Sequence, residues 1–126
     1  MRHLVTGGAG FVGSHVVRHL LTNTDDHLVL PVTFRHRGNA DRLSSALADH
    51  PEWRRRITVF YHDLCGPFSK TQIKKIGKID TIFNLASESH VDRSIEEPVP
   101  FIQNNVNLML TMLELSRQIE PRMFIQ

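Results

Sequence analysis

The chain has 126 residues, 40% of them hydrophobic, enough for one core of ordinary size and too few for two domains. With 15 Lys and Arg against 13 Asp and Glu, the formal charge of +2 is too balanced for a protein that tracks nucleic acid, and Arg54-Arg55-Arg56 reads as a solvated helix end. The lone Cys65 excludes an internal disulfide and a cysteine-rich metal site; no run approaches the ~20 apolar residues of a membrane span and no leader precedes the first strand, so a cytoplasmic protein without membrane or metal is expected.

Arg2 to Thr6 predicts a first strand, followed by glycines and a helix with Phe11, Val12, Val16, Val17, Leu20 and Leu21 at helical spacing, ended by Asn23, Asp25 and Asp26. His27 to Val32 is a second strand without alternation, as expected where both faces are covered. Pro31 lacks the N–H a central strand needs, so the strand ends there or lies beside a gap in the ladder. Asp41 to Asp49 predicts a helix closed by Pro51, and Ile57 to Tyr61 a third strand. Ser69 and Gln72 have the spacing of a capping box, with Ile73 and Ile76 on the buried side of a short helix that Gly77 stops. Asp80 to Ala86 is a fourth strand running into small residues. After Pro98 and Pro100 a long helix from about Phe101 to Ile119 is apolar on most sides, and Arg122 to Ile125 begins a fifth, buried strand. Strands alternating with helices at this spacing predict an α/β fold: a Rossmann-like, doubly wound parallel sheet. A chain reaching Gln126 within that strand reads as the N-terminal portion of a longer enzyme, an incomplete dinucleotide-binding domain over 1–126.

Leu4-Val5-Thr6-Gly7-Gly8-Ala9-Gly10-Phe11-Val12-Gly13 carries the strongest functional signal. Two phosphates are held only if the backbone comes close and aims free N–H groups at them, and a strand, a glycine turn and a helix start in that order provide this. Gly7 is expected to take a conformation closed to other residues, Gly10 to leave room for the pyrophosphate and Gly13 to bring the helix near the sheet, with Phe11 and Val12 as first-turn donors. An NAD site expects a carboxylate after strand two for the ribose hydroxyls, and none is there. Thr33, Arg35 and Arg37 stand there instead, a set able to accept the extra phosphate of NADP or to decorate a surface loop. Asp63 and Leu64 follow strand three, where the carboxylate can accept from an adenine amino group or cap its own loop, and Leu64 offers backbone and an apolar face.

The run Asn84-Leu85-Ala86-Ser87-Glu88-Ser89-His90-Val91-Asp92-Arg93-Ser94 packs polar side chains just beyond a buried strand, as a loop facing the ligand crevice. With the glycine turn before it and Phe101-Ile102-Gln103-Asn104-Asn105-Val106 after it, the chain closely resembles the dTDP-glucose 4,6-dehydratases, extended short-chain dehydrogenases of the epimerase/dehydratase superfamily. The resemblance implies an NAD-dependent lyase on a nucleotide sugar: Phe11 and Val12 at the pyrophosphate, Asp63 and Leu64 at the adenine end, Leu85, Ala86, Ser87, Glu88 and Ser89 along the rest of the cofactor, and Ser89 also near the sugar nucleotide. It further implies that Asn104 touches the cofactor, that Asn105 braces the sheet, and that the long helix joins a homodimer through a four-helix contact, unless further chain covers that face. In the family, hydride leaves sugar C4, water is lost across C5 and C6, and hydride returns to C6; the residues responsible are a threonine-aspartate-glutamate run after strand five and a tyrosine and lysine four apart. Tyr61, the one tyrosine, has Cys65 four residues on, so no catalytic residue is assigned within this segment. The family usually has aspartate near Val32-Thr33, so its absence leaves NADP open beside NAD. A 4-epimerase of the same superfamily and a non-enzymatic dinucleotide-binding module are the other readings.

Overall fold

In the computed structural model, which describes residues 1–33, 40–89 and 91–126, five parallel strands form one sheet in the order β3-β2-β1-β4-β5: β1 Arg2–Thr6, β2 His27–Val32, β3 Ile57–Tyr61, β4 Thr81–Asn84 and β5 Met123–Ile125. The helices are α1 Phe11–Asn23, α2 Ala40–Asp49, α3 Lys70–Ile76, α4 Val91–Glu96 and α5 Pro98–Ile119, with a 3-10 turn at Pro51–Arg56.

Adjacent residues of the central strands point to opposite faces, and each face has its own core. Val5, Leu28, Leu30 and Val32 pack with Val17 and Leu21 of α1, Leu43 of α2 and Trp53. Leu4, Val29 and Ile82 pack with Ile76 of α3 and with Met112 and Leu115 of α5. Strands buried on both sides have no need of alternation, which is why Leu28-Val29-Leu30 is continuously apolar.

The pairing of β2 with β1 runs from Arg2↔His27 to Leu4↔Val29, whereas that with β3 continues to Val32↔Tyr61, so Pro31 sits beyond the last β1 partner and leaves no break in that ladder. The capping box forms as expected: the Gln72 N–H donates to Ser69 Oγ at 3.2 Å and the Ser69 N–H to Gln72 Oε1 at 2.9 Å. Gly77 ends α3 at φ 67°.

Five expectations are corrected. Pro51 opens a 3-10 turn as well as following α2, its fixed φ suiting a first helical position. Arg56 is not merely solvated: its guanidinium donates to the carbonyls of Leu21, at 2.6 Å, and Thr24, closing the C-terminus of α1 with a cation where the helix dipole favours one. Pro98 and Pro100 lie inside the first turn of α5, where a missing N–H costs nothing, and residues 91–96 form a short helix rather than loop. Finally, β5 pairs with β4 alone in the described sheet, leaving Met123 and Ile125 exposed and only Phe124 packed on a core.

Candidate functional site

The carboxyl ends of β1 and β4 lie side by side in register, Thr6↔Asn84, and this pairing sets the geometry of everything beyond them. Both residues are buried. The Thr6 hydroxyl donates to Asn84 Oδ1 at 2.7 Å and accepts the Ala86 N–H at 3.1 Å, while Asn84 Nδ2 donates to Gln126 Oε1 at 2.7 Å. Three strand ends are thereby joined by uncharged groups whose hydrogen bonds are made within the protein, so little desolvation cost remains.

Directly above runs the glycine turn. Gly7 has φ 69°, and a Cβ there would stand 3.0 Å from the Ala86 nitrogen, so it needs both the conformation and the space. A Cβ on Gly13 would come within 2.0 Å of the Gly7 carbonyl oxygen; the close approach that Gly13 permits is thus to the turn itself, not to the sheet as expected. Gly10 forms the N-cap, its N–H bonded to the Gly7 carbonyl at 2.8 Å. The first helical bond of α1 is Ser14 N–H to Gly10 O at 3.0 Å, so the N–H groups of Phe11, Val12 and Gly13 have no intrahelical acceptor. No side chain caps this end and no acidic residue lies in its first turn. Helix dipole, unspent N–H groups and a cradle that a Cβ would fill fit a pyrophosphate. The Phe11 and Val12 side chains are exposed, as residues at such a helix start can be when their backbone faces the ligand.

The loop beyond β4 is clamped to α5. Asn105 holds both backbone groups of Glu88: its Oδ1 accepts the Glu88 N–H at 2.8 Å and its Nδ2 donates to the Glu88 carbonyl at 3.1 Å. Asn105 therefore braces this loop, not the strands. The Asn104 amide donates to Glu88 Oε1 at 2.9 Å. Leu85 and Ala86 lean on the two cores, and Ser87 and Ser89 are exposed on the loop.

Across the turn, Thr33 follows β2, half-buried. Arg35 and Arg37 lie outside the described residues, as does His90. Asp63 closes its own turn, Oδ1 accepting the Cys65 N–H at 3.0 Å while Gly66 N–H reaches the Asp63 carbonyl at 3.0 Å. The Leu64 side chain is buried in the core with Leu4 and Ile82, so the group it can offer a ligand is its backbone, not the expected apolar face. Thus the glycine turn meets the loop after β4 through Gly7 against Leu85 and Ala86, and Asp63 and Leu64 stand beyond β2 on the other side of β1.

Thr6 and Asn84 belong to the frame of the site too, and their signal in the sequence is a polar residue closing each apolar run, Leu4-Val5 and Ile82-Phe83. The matching family model spans residues 4–126 and describes GDP-mannose 4,6 dehydratase.

The chain belongs to this dehydratase family.

Among its relatives, dTDP-glucose 4,6-dehydratase 1 of Escherichia coli K12 is 42% identical over 118 residues, 93% of this chain and 31% of that protein. DesIV of Streptomyces venezuelae, a dTDP-glucose 4,6-dehydratase solved with NAD bound, superposes with a TM-score of 0.82 at 32% identity, over 98% of this chain and 38% of its own. The UDP-Glc/GlcNAc 4-epimerase of Campylobacter jejuni gives 0.79 at 25% identity, over 98% of this chain and 35% of its own. The chain thus spans about a third of the length of the relatives it matches. Among the described residues no helix is long and apolar enough to cross a membrane.

Proposed function

We propose that this chain is the cofactor-binding part of an NAD-dependent nucleotide-sugar 4,6-dehydratase, a cytoplasmic lyase converting dTDP-glucose to dTDP-4-keto-6-deoxyglucose. The observation that carries the reading is the contact of the Gly7–Gly13 turn with the loop after β4, in a chain whose dehydratase relatives are about 40% identical to it. Gly7, Gly10 and Gly13 shape the pyrophosphate cradle, and the N–H groups of Phe11, Val12 and Gly13 donate into it. Asp63 and the Leu64 backbone serve the adenine end and Thr33 its ribose, with Arg35 a further cofactor-binding candidate on its sequence alone. Leu85, Ala86, Ser87, Glu88 and Ser89 line the way to the nicotinamide, Ser89 meets the sugar nucleotide, and Asn104 orients Glu88. Bound NAD would supply a hydride acceptor that later returns the hydride. The acid and base for the sugar come from chain beyond Gln126.

Titration of the full-length protein with NAD and NADP tests the cofactor, and assay of 4-keto-6-deoxy sugar formation tests the reaction. Binding of neither cofactor below millimolar concentration would favour a non-enzymatic module. NAD is preferred over NADP; if Arg35 grips a 2′-phosphate, Arg35→Ala weakens NADP by about 2 kcal/mol more than NAD. The epimerase likeness supports a second reading, 4-epimerization, which an acidic pair following β5 in the full-length sequence would disfavour.

The dimer is proposed from α5, where Val99, Ile102, Val106, Leu110 and Leu113 form an exposed apolar stripe opposite the buried Phe101, Met112 and Leu115. Sedimentation of the complete enzyme as a monomer at micromolar concentration would defeat it.

A further inference from the structure

We propose that His62 is a positioning residue for the adenine end of the site: a neutral imidazole that holds the Asp63–Gly66 turn in shape by tying it to the N-terminus of α3. The proposal rests on the reading that a dinucleotide binds at this sheet edge, and it names a residue which that reading does not use.

The argument runs from one hydrogen bond to the next. The Ser69 N–H can only donate, and it lies 2.9 Å from the Gln72 side-chain oxygen, so the amide orientation of Gln72 is fixed with its NH₂ outward. That NH₂ lies 3.1 Å from His62 Nδ1, which must then accept and carry no proton. The proton of a neutral ring is therefore on Nε2, which lies 3.1 Å from the Gly66 carbonyl, a group that can only accept. The capping box thus sets the tautomer, and the tautomer ties down the far end of the turn.

The remaining contacts hold the ring where this bridge needs it. His62 is 7% exposed, stacks on Phe68 with centroids 3.8 Å apart, and donates its own N–H to the Val32 carbonyl at 3.0 Å, joining the exits of β2 and β3. Between the two bridged ends lie Asp63 and Leu64. The turn's internal bonds, Cys65 N–H to Asp63 Oδ1 and Gly66 N–H to the Asp63 carbonyl, close it locally but do not tie it to α3; the His62 ring does.

Protonation would break the bridge, because a second N–H at Nδ1 meets the Gln72 NH₂ donor to donor. Burial holds the imidazole below its ordinary value, opposed by the Gly66 carbonyl and by the Asp63 charge. Among the described residues the ring meets Gln72 of α3, Gly66 of the turn and Phe68, all uncharged, while its backbone N–H meets the Val32 carbonyl, and the charge acting on it there is that of Asp63. The ring is neutral at pH 7, and the bridge is lost as pH falls through its lowered value.

The test uses the full-length protein, with NAD and thymidine diphosphate titrated separately by calorimetry from pH 5 to 8. At pH 7, His62→Ala is expected to raise the Kd for NAD about tenfold, the worth of one or two hydrogen bonds, and to leave that for thymidine diphosphate within about twofold. The wild-type affinity for NAD should weaken as pH falls through the lowered His62 value. His62→Asn keeps an acceptor for Gln72 but has no donor where Nε2 stands and cannot be protonated, so it should share the loss of NAD affinity at pH 7 with a flat profile, and it carries the test if the alanine variant does not fold. Equal loss of both ligands in His62→Ala, or a wild-type profile as flat as that of His62→Asn, would overturn the proposal. A wild-type protein that binds no NAD would instead remove the dinucleotide reading on which it rests.

Discussion

At the amino ends of the strands, one Asp26 oxygen takes the Met1 ammonium and the other lies 2.9 Å from His3 Nε2, while an Asp80 oxygen accepts the Arg2 N–H at 2.8 Å. At the carboxyl ends of the same sheet, the groups joining β1, β4 and β5 are a hydroxyl and two amides, those of Thr6, Asn84 and Gln126. Two carboxylates near that edge are engaged as well, Asp63 with the Cys65 N–H and Glu88 with the Asn104 amide. One end neutralises charge locally to hold the fold. The other builds its frame from neutral groups and keeps carboxylates off the first turn of α1, so the field of that helix start is left for an anion.

The sharpest way to break this contrast is Gly13→Ala. The added Cβ would stand 2.0 Å from the Gly7 oxygen and must displace backbone, so a loss of about 3 kcal/mol is expected together with loss of NAD binding, measured by denaturant unfolding and calorimetry. Next is Thr6→Val, which keeps the shape and leaves Asn84 Oδ1 and the Ala86 N–H without the Thr6 hydroxyl. About 2 kcal/mol is expected, again with weaker NAD binding.

Changes remote from the carboxyl edge should cost stability alone. Arg56→Ala removes the guanidinium that closes α1 over the Leu21 and Thr24 carbonyls, for about 1.5 kcal/mol in unfolding experiments with NAD affinity unchanged. The smallest effect is that of Asp26→Asn, and its pH dependence is the informative part. Hydrogen bonds from the Met1 ammonium and His3 hold the Asp26 carboxyl below its ordinary value, so its contribution is complete above about pH 4 and is lost as pH falls through the lowered value. The Asp26 hydrogen bond in turn holds the ammonium above its ordinary value, so that contribution is complete below about pH 8 and is lost as pH rises through the raised value. The melting temperatures of wild type and variant should differ most between those limits and converge outside them.

Most of this architecture was legible because its signals are local. Continuous apolar runs marked the inner strands, and Ser69 with Gln72 marked a helix start from three residues apart. The glycine turn was legible for the same reason. What escaped were partnerships across long stretches of chain, such as Arg56 with Leu21 or Asn84 with Gln126, for which spacing carries no period to read. The short α4 escaped for a different reason: none of its residues is buried, so it shows no amphipathic pattern. At the site, sequence placed the glycines and the loop beyond β4 correctly at one sheet edge. It could not show that the Leu64 side chain turns into the core or that Asn105 grips the Glu88 backbone, since both depend on packing between elements.

The Thr6 to Asn84 pairing also orders events during synthesis. The partners are 78 positions apart, so at about 5–20 residues per second the glycine turn leaves the ribosome roughly 4–16 s before the strand that walls it. Through that interval β2 can dress one edge of β1 while Leu4 and Val5 await their other neighbour, leaving a nascent chain with an apolar flank open. A holdase that recognises extended apolar segments would find its target in this earliest-made strand and lose it when Asn84 arrives.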